Sequence, residues 1–405
     1  MTAEPIHRWY TSVMGFAPTL VRTALVDLKC DESGYLLDPF CGTGTTLIEC
    51  NLSGIKSIGV DANPFSAFCS RAKTAWSVDP HDLEGAFERI VSSLAEVSAS
   101  PKTKKKETIP HAVRKGWVSP HVWDKAIDIY ARTRRLRNQG RKRLLQLAVI
   151  SAVKETCANV AFGPEIYKRK RSNRTGVVKA ISQKIKQIAE DLRGVQARRS
   201  QSAASIFHGD SRNLDFLARA GYKGRIKWVI SSPPYPTEHD YSRISRIELE
   251  LGGFIQSDMD LRSIKRLQLR SNSKTVYADD TDWKYVQDVG SVMSLVKRLE
   301  NLARNKTYSF AHRYPLVVSN YFGGLYLHLS SLADLMPAGG TVMYILGEQR
   351  SYLGVLVPTT DVFIELACDR LRAFRLVKRV IVRLRRGTNG TVGPIREEAA
   401  ILQRR

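Results

Sequence analysis

Two short stretches of this 405-residue chain hold residues at spacings that could do chemistry. In Ser231-Ser-Pro-Pro-Tyr235, hydroxyls, two successive prolines and an aromatic ring follow one another directly. Each proline lacks an N–H and fixes its φ, so the backbone is stiff and its carbonyls stay open to donors. Acceptors for N–H groups, set beside a ring that can stack on a flat face, make a holder for a planar amine. A rigid loop with a packed tyrosine is the plain alternative for Pro-Pro-Tyr taken alone. The position of the motif, behind the apolar run 228–231, favours the amine holder, because parallel sheets bind ligands at the carboxyl ends of their strands.

The second stretch is Asp38-Pro-Phe-Cys-Gly-Thr-Gly-Thr45. Gly42 and Gly44 let the chain turn tightly and approach a ligand, with the amides of a helix N-terminus facing it. Leu47 stands where a dinucleotide fingerprint has its third glycine, and no Gly-Lys-Ser/Thr follows, so neither that motif nor a P-loop is present. Asp61 ends the next apolar run, where a carboxylate can accept from both hydroxyls of a ribose. It could instead cap a helix starting at Pro64. Together the two features point to a nucleoside-type cofactor.

These residues need a sheet to hold them. Residues 35–39 read as a strand, Thr45–Leu52 as a helix ended by Gly54, and Ser57–Asp61 as a second strand, which is the opening of a parallel α/β sheet. Further strands are predicted at 206–210, 228–231 and 341–346, with 377–384 and 398–402 as a closing hairpin at the sheet edge. Between the second and third strands, 122–136 and 142–157 show helical spacing, and 161–175 reads as a basic loop. A later charged segment, about 252–320, reads as mostly helical, with 244–251 as a helix before it.

The formal charge is +24, and residues 101–200 alone carry 26 lysines and arginines against 7 acids. Such a concentration suits a surface that follows a phosphate backbone, and Lys168, Arg169, Lys170 and Arg171 are its candidate contacts. A solvated basic loop is the alternative. Hydrophobic residues make up 43% and charged residues 25%, which is ordinary for a globular protein and excludes a disordered one. No apolar run approaches the roughly 18 residues of a membrane span, and no apolar leader is expected at the start. Six cysteines without a Cys-x-x-Cys pair argue against a disulfide framework and fit a reducing cytoplasm. No metal is expected, since His208, His239 and His312 are not at metal-ligand spacing.

Asp38-Pro-Phe-Cys-Gly-Thr-Gly, Asp61 and Ser232-Pro-Pro-Tyr235 resemble the signature elements of the S-adenosylmethionine-dependent DNA amino-methyltransferases. Ser-Pro-Pro-Tyr is the form typical of the cytosine-N4 branch, whereas adenine-N6 enzymes usually have Asp or Asn in place of Ser232. The resemblance implies a Rossmann-like class I methyltransferase sheet of α/β class with a largely helical, basic insertion. In domain terms it implies methyltransferase parts at 1–74, 205–251 and 321–405, a basic insertion at 75–204 as candidate recognition region, and a second helical insertion at 252–320. It further implies S-adenosylmethionine as cofactor, with Asp38 orienting the methionine amino group and Phe40, Gly42 and Gly44 close to it. Asp61 would bind the ribose and Asp210 would lie near the adenine. The stretch from Trp9 to Pro18 would touch the methionine end. Ser232 and the Pro233 carbonyl, stiffened by Pro234, would accept from the target amine, and Tyr235 would stack on a flipped base. Carbon-5 methylation, which needs a cysteine typically after a proline, is disfavoured because no Pro-Cys occurs. DNA is the expected partner, with a cognate restriction system possible. An adenine-N6 target, an RNA amine and a non-catalytic nucleic-acid binder on the same scaffold remain the alternatives.

Overall fold

The computed structural model describes residues 4–12, 15–97, 109–162, 166–169, 175–197, 202–237, 239–308, 310–350, 352–386 and 394–405. Among the described residues nine strands run in chain order as β1 (Tyr35–Asp38), β2 (Ser57–Asp61), β3 (Val160–Phe162), β4 (Ile166–Lys168), β5 (Ala204–His208), β6 (Ile226–Ser231), β7 (Thr341–Gly347), β8 (Phe374–Arg386) and β9 (Pro394–Arg404). Seven form one sheet in the order β5-β2-β1-β6-β7-β9-β8. The first five are parallel, and β9 and β8 close the edge as an antiparallel hairpin. The expected α/β class, sheet and closing hairpin are all present.

The order reverses at β1, whose successors β2 and β5 lie on one side while β6 and β7 lie on the other. Loops leaving the carboxyl ends of β1 and β6 therefore diverge and open a crevice, the usual ligand site of such sheets. Both signature motifs lie there. Strands covered on both faces read as apolar runs, and β1 shows why: Leu36 packs into the cluster of Val21, Leu25 and Ile230, while Leu37 faces Val229, Leu325 and Tyr344. The helices Pro18–Asp27 and Thr45–Leu52 pack together on one face, and Gly290–Ala303 and Tyr314–Leu335 line the other.

The basic insertion is not a satellite. Its helices Pro80–Val97, Pro120–Thr133, Gln139–Ala152 and Val177–Gln196 share one core with Trp9, Tyr10, Phe65 and Cys69. Buried Asp191 accepts from the Ile6 amide and the Trp9 indole, each at 2.8 Å, and pairs with Arg8. The N-terminal segment is thereby pinned by the insertion.

Three expectations need correction. Residues 161–175 are not all loop, because β3 and β4 form a small antiparallel ribbon whose short alternation the basic residues conceal. The single helix expected at 244–251 is two, Tyr241–Ile244 and Arg246–Leu251. Ser245 separates them, with its hydroxyl bonded back to the Tyr241 carbonyl at 3.1 Å. The 320/321 boundary falls inside the continuous helix Tyr314–Leu335, so the segment packing on the sheet starts earlier. Among the described residues no helix is long and apolar enough to cross a membrane, and all six cysteines are free.

Candidate active site

The turn after β1 is built on two glycines with different duties. Gly42 has φ 52° and Gly44 φ 91°, a region where side chains other than glycine are strained. A Cβ on Gly42 would meet nothing within 4 Å, and the residue lines the cavity described below. A Cβ on Gly44 would come within 2.9 Å of Ser70 Oγ and 3.2 Å of its Cα. Gly44 caps the helix Thr45–Leu52 and is not among the lining residues. Its lack of a side chain serves close packing against Ser70.

Asp61 spans the same turn. Its Oδ2 accepts from the Gly42 amide at 2.8 Å and its Oδ1 from the Asn63 amide at 2.7 Å. Helix capping is the work of Asn63, whose own side chain accepts from Phe65 N. Asp61 is thus free of that duty. Two amides leave about two of a carboxylate's four acceptor positions open, and Asp61 lines the cavity. Burial pushes its pKa up from 3.8 to about 6, against the pull of the two amides.

Asp38 is elsewhere. It is 1% exposed, is not among the lining residues, and its carboxylate is engaged by the hydroxyls of Thr46 and Ser231, each at 2.6 Å, and by the Phe40 amide at 3.1 Å. Direct contact with a ligand's amino group is therefore not what this geometry offers. Asp38 holds the start of the cofactor-side helix and the ends of β1 and β6 in one bond network.

Ser232 to Tyr235 leave the end of β6 and all four line the cavity. The Ser232 hydroxyl donates to the Tyr235 phenol at 3.2 Å, and the phenol donates to Glu397 Oε1 at 2.8 Å. The Tyr235 amide donates to Tyr241 at 3.3 Å. Burial and the nearby Glu397 charge push the phenol pKa well above its usual value.

Phe40 and Asp210 also line this cavity, which measures about 1410 Å³. Phe40 meets the ring of buried His328 edge-on at 5.0 Å. His328 is held by the Ser211 carbonyl at 2.7 Å and Tyr344 at 2.5 Å, and burial lowers its pKa to about 4. Asp210 pairs with Arg212, which also donates to Asp282 at 2.6 Å. Gly15 to Leu20 supply another wall, so part of the expected Trp9–Pro18 contact segment faces the cavity, whereas Trp9 itself is buried away from it.

Of the basic run, Arg169 lines the cavity and Lys168 is exposed beside it on β4, while Lys170 and Arg171 lie outside the described residues. Glu4, His7 and Glu49 each bring an atom that could ligate a metal within 4.8 Å of the others. The Arg22 guanidinium lies against both carboxylates, and His7 is bonded to Glu49 at 2.7 Å. Glu397, Arg212 and His328 escaped the sequence reading. For Glu397 the one available signal was an acidic pair inside an apolar closing strand.

The strand order and the cavity at the carboxyl ends of β1 and β6 define a mostly parallel α/β protein with a ligand crevice at its switch point. The family profile described as DNA methylase matches residues 17–67. The type II methyltransferase M.BsoBI of Geobacillus stearothermophilus is 22% identical over 439 residues, spanning 95% of this chain and 82% of that protein. M.MvaI of Kocuria varians is 32% identical over 99 residues, 24% of this chain and 22% of its own. Among solved structures, TrmN from Thermus thermophilus aligns over 100% of this chain and 55% of its own at 10% identity, with a TM-score of 0.35. The rRNA methyltransferase aviRa from Streptomyces viridochromogenes covers 98% of this chain and 89% of its own at 12% identity, with the same TM-score of 0.35. The chain is thus similar to DNA amino-methyltransferases, and the methyl donor this similarity implies is S-adenosylmethionine.

Proposed function

We propose that this enzyme methylates the exocyclic N4 amine of a cytosine in DNA, at a specific site and with the base swung out of the duplex. The observation that carries the reading is that Ser232, a hydroxyl rather than a carboxylate or carboxamide, shares one cavity wall with Tyr235 and one cavity with Gly42 and Asp61.

S-adenosylmethionine supplies an electrophilic methyl group when bound. The donor set fits a nucleoside of this kind: Asp61 keeps acceptor positions for ribose hydroxyls, Gly42 lets the ligand approach bare backbone, and Phe40 and Asp210 stand on the same walls. In this reading Asp38 and Gly44 act indirectly, by holding the turn. Ser232 Oγ and the Pro233 carbonyl accept the two N–H bonds of the amine, turning its lone pair out of the ring plane. Pro234 stiffens the loop and Tyr235 holds the base flat. Positioning supplies most of the acceleration, since no covalent enzyme intermediate is needed.

DNA is the polyanion that the +24 charge serves. The basic insertion, 75–204, is the proposed recognition region, with Lys168 to Arg171 on phosphates, and the second helical insertion ends before the helix Tyr314–Leu335. The type II relatives favour a companion restriction enzyme and a cytoplasmic setting. Mass spectrometry of nucleosides from DNA and RNA incubated with the protein and labelled cofactor tests this directly. Label in N4-methylcytosine supports the reading; label only in N6-methyladenine or in RNA, or none at all, overturns it.

A further inference from the structure

Glu397 reaches the cavity from β9, a strand remote in sequence from both motifs. Its Oε1 accepts from the Tyr235 phenol at 2.8 Å, and its Oε2 accepts from Arg383 Nε on β8 at 3.0 Å. An ionised carboxylate only accepts. Tyr235 has a single proton, and giving it to Glu397 leaves only lone pairs on the phenol oxygen. Ser232, 3.2 Å from that oxygen, must then be the donor of the pair. Its proton is committed to Tyr235, so the lone pairs of Ser232 Oγ are what it can offer to a third group.

This matters because a serine hydroxyl, unlike a carboxylate, has no fixed polarity and rotates to suit its neighbours. A hydroxyl that donated to a ring nitrogen would hold the base in the wrong register. We infer that Glu397 is a positioning residue which, acting through Tyr235, fixes Ser232 as a hydrogen-bond acceptor for the target amine. The inference rests on the amine-methylation reading above and adds a residue that neither motif contains. Arg383 holds the carboxylate in place from the far side, and the raised pKa of Tyr235 keeps the phenol proton on the ring oxygen.

The test uses a duplex carrying the site that the wild type methylates. Glu397→Gln keeps shape but can present either an oxygen or an NH₂ to Tyr235. Its kcat should fall by about tenfold or more while KM for DNA rises by no more than about 3- to 10-fold, the pattern of an interaction made in the ground state and strengthened in the transition state. A binding readout needs no turnover. Wild type should favour the cytosine duplex over one with 2-pyrimidinone, which lacks the amine, at the target position by about 3- to 10-fold, the scale of one hydrogen bond. Glu397→Gln should lose that preference. Tyr235→Phe, which keeps the ring, should lose it equally, and the double variant should lose nothing further.

Should Glu397→Gln fold poorly, Tyr235→Phe alone carries the comparison. Variants that retain both kcat and the preference for the amine overturn the role of Glu397 while leaving the methylation reading intact. A wild type that methylates no cytosine overturns that reading, and this inference with it.

Discussion

Ser231 donates to Asp38 at 2.6 Å across the gap between the carboxyl ends of β6 and β1, so the two signature motifs are joined by one buried hydrogen bond. Ser231 is fully buried, and the residue after it already faces the cavity. A shift at the turn that carries Gly42 is therefore felt at Ser232.

The same bond network makes stability depend on pH. Burial raises Asp38 from 3.8 in the unfolded chain to about 6 in the fold, so folding takes up a proton between those values. The associated stability is whole below about pH 4 and is lost as pH rises through 6. For a group this buried it amounts to roughly 2–3 kcal/mol at most. Asp38→Asn should remove that component, giving a shallower fall of urea stability between pH 4 and 7 than the wild type shows. Asp61, shifted in the same direction, leaves a residual slope. Identical pH profiles for the two proteins would mean that Asp38 is not buried as described.

Asp61 should matter for the cofactor first. Asp61→Ala removes acceptor positions for ribose hydroxyls and frees the Gly42 amide it now holds. Affinity for S-adenosylmethionine should drop by about 1.5–3 kcal/mol, the scale of charge-assisted hydrogen bonds. Calorimetry on the folded variant decides the matter, and an unchanged affinity removes Asp61 from the site.

The two glycines should separate into different phenotypes. Gly44→Ala forces a Cβ against the Ser70 backbone at 3.2 Å as well as a strained φ, so it should lower the melting temperature clearly. Gly42→Ala meets open space and carries only the left-handed penalty of about 1–2 kcal/mol, but its methyl would stand in the cavity and weaken cofactor binding. If Gly44→Ala proved the milder change for folding, the packing assignment would be wrong.

Most parallel strands were legible because they are short apolar runs bounded by turn residues. The strand Ser57–Asp61 and the helix Thr45–Leu52 match the reading to their ends, whereas the edge strand expected at 206–210 lies at Ala204–His208, where half-exposed residues blur the pattern. The separate duties of Gly42 and Gly44 were not legible, since spacing alone makes them look equivalent. The resemblance gave Asp38 a ligand role, and its engagement by Thr46 and Ser231 was hidden because only the pairing of β1 with β6 brings Ser231 to it. Glu397 was hidden for a similar reason. Its neighbour Glu398 pairs with Arg379 on the opposite face of β9, and strand alternation, invisible until the register is known, turns Glu397 to the cavity. The β3–β4 ribbon escaped because three-residue strands carry too little pattern to stand out from a basic segment.

Arg169 and Lys168 offer the remaining test, because one lines the cavity and the other stands exposed beside it on β4. If both contact DNA phosphates, each neutralisation should lower the slope of log affinity against log salt by up to about 0.9 on duplex DNA. The loss should be nearly independent of sequence, since phosphate contacts carry no base information. Lys168→Ala should therefore weaken specific and non-specific duplexes alike. Arg169→Ala should do the same and in addition lower methylation at saturating DNA, because it stands on the wall that receives the substrate. Cofactor affinity should be unchanged in Lys168→Ala, which touches none of the residues around Gly42 and Asp61. A double variant with the wild-type salt slope would show that this ribbon is merely solvated. The DNA surface would then have to be sought elsewhere on the basic insertion, among the exposed Arg134, Arg135 and Arg137.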